Sequence, residues 1–130
     1  TDTNTIMFFG FILTEAGNLD IRTLAHERTH RLQWIFTGVK SAAFCVITVA
    51  VLWLLGCVGW WMLSLLAVPF LAWYLLYILE WLFRLCQCWD MQRAYEAISY
   101  EQEADRVADA YVREYLRTSK EPEIIEVYLN

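Results

Sequence analysis

From Ser41 to Leu79 no residue carries a charge. A single helix over that run would be about 58 Å long, about twice the hydrocarbon thickness of a bilayer. No soluble core helix stays apolar for so long, so the run reads as membrane-spanning, and it has to be divided. Gly56-Cys57-Val58-Gly59 is the natural break. It gives one span near 41–57 and a second near 60–83, with Trp60 and Trp61 at the turn, where indoles favour the membrane interface. Pro69 is expected to kink the second span. Because the run is internal, it is not a cleaved signal peptide. The chain begins at Thr1 and not at a methionine, so a short upstream piece or tag is expected.

At 130 residues the chain is read as one membrane-embedded domain covering 1–130. Its formal charge of -5 arises beyond the apolar run: residues 1–40 hold four acids and four bases, and residues 80–130 hold eleven acids and six bases. No basic patch points to nucleic acid. Cys45 and Cys57 fall in the apolar run, and Cys86 and Cys88 are too close in sequence to bridge easily. All four are read as reduced, with a metal site at Cys86 and Cys88 as the second choice.

Histidine occurs only in His26-Glu27-Arg28-Thr29-His30. Helical residues four apart share a face, so His26 and His30 can offer two imidazole nitrogens to one metal ion. Glu27 sits within a hydrogen bond of a metal-bound water. This is the HExxH pattern of zinc metallopeptidases, in which zinc lowers the pKa of the water and the carboxylate takes its proton. The alternative is a surface helix with two partly exposed histidines.

The motif's helix is expected to start with Asn18 or Asp20 as N-cap and to run through Arg31, Leu32, Gln33 and Trp34, with Gly38 and Lys40 marking the approach to the bilayer. Before it, Ile6 to Leu13 is rich in strand formers and is closed by the turn signal Ala16-Gly17-Asn18. That segment is either a strand beside the active-site helix, able to hold an extended substrate by main-chain hydrogen bonds, or an apolar stretch resting on membrane or core. After the spans, Glu80 and Arg84 are four apart and read as an ion pair near the headgroups, although Glu80 could instead reach the site. A long helical pattern runs from Asp90 to about Leu116. The tail from Lys120 to Asn130 reads as a loosely held end or a docking segment.

A hydrolytic zinc site needs a third protein ligand and one open position. The stripe Ala94, Ile98, Glu101, Asp105, Ala108, Val112, Leu116 carries two acids on an apolar face, and such acids need partners. The opposite stripe, with Glu103 and Arg106 three apart, reads as solvated. Periodicity therefore selects Glu101 over Glu103 as the third metal ligand, and places Asp105 to accept the free ring N–H of a ligating histidine. An acid pair satisfied by backbone or by arginines is the competing reading. Tyr95, Tyr100 and Tyr111 are all open candidates for stabilising an oxyanion.

His26-Glu27-x-x-His30 followed, after an apolar hairpin, by Glu101-x-x-Ala104-Asp105-Arg106-x-Ala108 resembles the gluzincin metallopeptidases of the CAAX prenyl protease and heat-shock membrane protease type. The resemblance implies His26, His30 and Glu101 on Zn2+, Glu27 as base and Asp105 behind the ligands. The chain is closer still to small bacterial membrane proteins with HExxHxxQ, here His26 to Gln33. They also share an aromatic stretch, here Trp73-Tyr74 with Glu80-Trp81, and a segment like Ala94 to Ala104. The matches cover about three quarters of the chain, which is much shorter than the proteases and lacks their additional spans.

The expected fold is mainly α and integral to the membrane, with a two-span helical hairpin between two zinc-ligand-bearing helices and a possible short N-terminal strand. His26 and Glu101 can meet only if the apolar run returns to the side it left, which requires an even number of crossings. The basic flanks Arg28, Arg31, Lys40, Arg84 and Arg93 put that side in the cytoplasm. The expected function is hydrolysis of peptide bonds near the membrane surface, on either a membrane-anchored polypeptide or a flexible tail near the lipid. The rival is a non-catalytic membrane scaffold with a structural or vestigial zinc site, binding a partner through its acidic C-terminal region.

Overall fold

The computed structural model describes residues 5–14 and 20–130. Two short strands, β1 (Thr5–Phe8) and β2 (Phe11–Thr14), pair antiparallel with Ile6 opposite Leu13 and Met7 opposite Ile12. The stretch expected as one strand is thus folded back on itself. The cause lies at its centre: Phe9 and Gly10 both have positive φ (46° and 86°), which two-residue hairpin turns require and glycine adopts freely. The expected turn at Ala16-Gly17-Asn18 and the Asn18 cap lie outside the described residues.

Asp20 caps helix α1 (Ile21–Leu54) by accepting from the Thr23 backbone N–H at 2.6 Å. The helix carries the histidine motif at its start and the uncharged run at its end without interruption. It ends where expected, with Gly56 at φ 74° satisfying the left-handed exit that helices favour. A 3₁₀ segment, Trp60–Ala67, then leads into α2 (Val68–Cys88). Pro69 does not kink a span. It stands in the first turn of α2, where no intrahelical N–H is missed and its fixed φ suits the start of a helix. Both α1 and the Trp60–Cys88 stretch are long and apolar enough to cross a membrane.

The two helices run antiparallel and meet closely at one point. A Cβ on Gly38 would lie 2.9 Å from the Pro69 carbonyl oxygen, so only glycine permits that crossing. One turn back along α1, the Trp34 indole N–H donates to the Phe70 carbonyl at 2.9 Å. The hairpin rests on both helices: the Phe9 N–H donates to the Tyr74 hydroxyl at 2.8 Å, and the Phe9 ring packs against Trp34 and Tyr74.

After Asp90 the expected single helix is two, α3 (Met91–Glu96) and α4 (Ser99–Thr118). Glu80 shapes the break. Its carboxylate accepts from the Ser99 backbone N–H at 2.9 Å and from the Ser99 hydroxyl, doing from α2 what an N-cap side chain does locally. Its contact with Arg84 is longer, at 3.8 Å, so the expected ion pair is secondary to this cap. The buried face of α4 is Glu101, Ala104, Val107, Ala108 and Tyr111. It is rotated from the expected stripe, and Leu116 is exposed. The tail is docked, not loose: α5 (Ile124–Leu129) lays Ile124 and Val127 against Ala25, Ala108 and Tyr111, and Tyr128 stacks on Phe36 at 5.7 Å.

Candidate metal centre

α1 supplies His26 and His30 one turn apart, and α4, packed against it, supplies Glu101. The His26 Nε2 and His30 Nε2 atoms are 3.1 Å apart. Glu101 places Oε2 3.1 Å from His26 Nε2 and Oε1 3.1 Å from His30 Nε2. Among the described residues these three form the group able to hold a metal ion, with ligand atoms within 4.8 Å of one another. Ligands held tetrahedrally at about 2.0–2.1 Å from an ion sit about 3.3 Å from each other. The spacing fits.

The chemistry of the donor set fits as well, because the far nitrogen of each ring is already engaged. His26 Nδ1 lies 3.0 Å from Asp105 Oδ1. His30 Nδ1 lies 2.9 Å from Gln33 Oε1. The Gln33 amide is fixed the other way round by its Nε2, which donates to the Tyr100 carbonyl at 3.0 Å, so its oxygen must face the histidine. With both Nδ1–H groups donating outward, two Nε2 lone pairs and a carboxylate converge on one point. Three acceptors facing one another require a cation between them.

Without a metal a proton takes that place. Burial would lower the His30 pKa, but hydrogen bonding to Glu101 and that group's charge outweigh it and raise the value. Burial would likewise raise Glu101, but hydrogen bonds from His26 and His30 hold the carboxyl well below the ordinary range. Tyr77 Oη also donates to Glu101 Oε1, at 2.6 Å.

Glu27 is 7% exposed, and burial pushes its carboxyl above the ordinary value against the pull of His30 and His26. It lines two clefts that flank the centre. One, of about 310 Å³, is walled by Ile6, Met7 and Phe8 of β1 and by Trp73, Tyr74 and Tyr77 of α2. The other, of about 250 Å³, is walled by Arg22, Thr23, Glu96 and Asp105. Tyr95 borders both, and burial, then the Glu101 charge, pushes its hydroxyl up to about 12. Of the other two candidate tyrosines, Tyr100 packs on Trp73 and lines neither cleft, and Tyr111 is buried with Ala25 and Ala108.

Two residues stand in surroundings other than expected. Asp105 is 54% exposed and is shared between His26 and Arg22, so it belongs to the rim and not to a buried acid pair. Glu103 is not simply solvated: its Oε1 accepts from Gln33 Nε2 at 3.4 Å. Gln33 and Tyr77 also support the candidate ligands. Gln33 follows His30 by three residues on one helix face, a signal visible in sequence, whereas Tyr77 reaches Glu101 only through the packing of α2. Comparison of the chain with protein-family models, with curated proteins and with solved structures finds no match.

Proposed function

We propose that this chain is an integral-membrane zinc metallopeptidase of the gluzincin type, with His26, His30 and Glu101 as ligands and Glu27 as base. The observation that carries the reading is the convergence of two Nε2 atoms and one carboxylate, 3.1 Å apart, beside a buried glutamate and an open cleft. Two imidazoles and one carboxylate suit zinc, and three protein ligands leave a position open for water or substrate. Held by these residues, zinc would supply a Lewis acid able to polarise a carbonyl and to acidify water towards a pKa of about 7.

The chain's own groups do the rest. Glu27 takes the water proton and hands it to the leaving amine nitrogen, a task suited to a carboxylate whose pKa burial has raised. The Tyr95 hydroxyl stays protonated through neutral pH and donates to the oxygen on which negative charge develops. Asp105 and Gln33 hold the two imidazoles in the tautomer that presents Nε2. β1 lines the cleft, so an extended substrate chain would run beside it.

Membrane insertion is supported by the surface of the two long helices. Phe44, Val46, Ile47, Trp53 and Leu54 on α1 and Phe70, Leu75 and Leu79 on α2 are exposed, as lipid-facing side chains would be. The crossing part of α1 begins beyond Lys40, so the metal centre lies at the membrane surface. The basic flanks of the spans and the uncharged turn between them favour the cytoplasmic side.

Purified protein is expected to carry one zinc per chain and to cleave peptide. Glu27→Gln should leave zinc bound and abolish hydrolysis, because the amide keeps the shape and cannot take the proton. Activity retained in Glu27→Gln would remove it as the base. Zinc with no cleavage in the unaltered protein would favour a scaffold.

A further inference from the structure

The two clefts that share Glu27, Tyr95 and Glu101 differ in chemistry, and they lie at opposite ends of the site. Ile6, Met7, Phe8, Trp73 and Tyr74 make one apolar and aromatic. Arg22, Thr23, Glu96 and Asp105 make the other polar. Their order along the molecule follows from how α1 and α2 pack. His30 sits against Trp73 and Tyr77, Trp34 bonds to Phe70 one turn further on, and Gly38 meets Pro69 beyond that, just before the uncharged run. The Trp73–Tyr74 cleft is therefore on the side of the apolar helices. The Arg22–Thr23 cleft sits at the first turn of α1, the end farthest from them.

We propose that the substrate is a polypeptide taken at a junction between an apolar and a polar stretch, the apolar flank entering the cleft on the membrane side and the polar flank leaving past Arg22 and Asp105. The proposal rests on the metallopeptidase reading and specifies its substrate. A chain lying across the metal centre meets both clefts at once, because Glu27 and Glu101 border each of them. An apolar side chain gains from the wall of Ile6, Phe8 and Trp73 by leaving water, and an anionic one placed against that wall loses its hydration with no opposite charge there to replace it. The polar cleft offers Glu96 and Asp105 on its wall and rewards the reverse. A segment just outside a membrane anchor has this composition and would arrive with its apolar end already at the lipid.

The test uses three short peptides of one composition: an apolar block followed by a polar block, the same blocks reversed, and the residues alternated. Binding to the zinc-loaded Glu27→Gln protein is measured in one detergent at one concentration. One block peptide is expected to bind about tenfold or more tighter than the alternating isomer. Ile6 lines the apolar cleft and is more than half exposed, so Ile6→Asp should fold normally and abolish that difference. Block peptides that bind within about twofold of the alternating one, or a preference that survives Ile6→Asp, overturn the proposal. Acetohydroxamate, which needs only an open metal position, separates the two levels. If it binds while the block preference is missing, the substrate proposal alone fails. If it does not bind to zinc-loaded protein, the metallopeptidase reading fails and this proposal with it.

Discussion

In the group that could hold a metal, His26, His30 and Glu101 are each held by a second side chain, and the variants that matter differ in which layer they remove. Glu101→Ala takes away a ligand and the partner of both histidines, and should reduce zinc affinity most. Asp105→Ala and Gln33→Ala each release one imidazole from its fixed tautomer and should weaken zinc by about ten- to a hundredfold. Glu103→Ala removes a hydrogen bond with Tyr128 and a long contact to Gln33, which keeps its bond to the Tyr100 carbonyl, so zinc binding should be nearly unchanged. Zinc titration of the four variants checks the order. Normal binding by Glu101→Ala, or a collapse in Glu103→Ala, would overturn the site.

At the scale of elements, the centre exists because α1 is gripped on two sides, by α2 at Gly38 and by α4 and α5 at Ala25. Gly38→Leu forces a side chain onto a backbone carbonyl that cannot rotate away. It should cost about 1–3 kcal/mol and weaken zinc binding as Tyr77 moves off Glu101. Tyr128→Ala removes the ring stacked on Phe36 and should lower stability by about 1–2 kcal/mol. Thermal unfolding of both variants in detergent, with and without zinc, checks these outcomes. An unfolding temperature unchanged in Gly38→Leu would mean that the helices do not cross there.

For the molecule as a whole, the hairpin of two long helices returns the chain to the end of α1 where the histidines lie, and the closure of the site depends on that return. The proposed orientation puts the segments before α1's apolar part and after α2 in the cytoplasm. With the four native cysteines replaced by serine, a cysteine introduced at position 120 should therefore resist an impermeant thiol reagent in intact cells and react after lysis. Labelling from outside in intact cells would show the orientation to be inverted.

Much of this was fixed by local chemistry. His26 and His30 share a face because the helix repeats every 3.6 residues, the uncharged run had to be divided, and the glycines at 56 and 59 were where it could be. Glu101 was separable from Glu103 because residues two apart on a helix point nearly opposite ways. Gly10 carried the hairpin turn, but an apolar run with one glycine reads equally well as a bulged strand, so the fold-back was not visible. What a linear pattern cannot contain is the rotation of one helix against another. That rotation set Asp105 on the rim, brought Tyr77 to Glu101 and Glu80 to the start of α4, and chose Tyr95 over Tyr100 and Tyr111 as the hydroxyl at the cleft. Each of those contacts joins residues from two elements. Periodicity gives the face that an element buries, and only packing decides what that face meets.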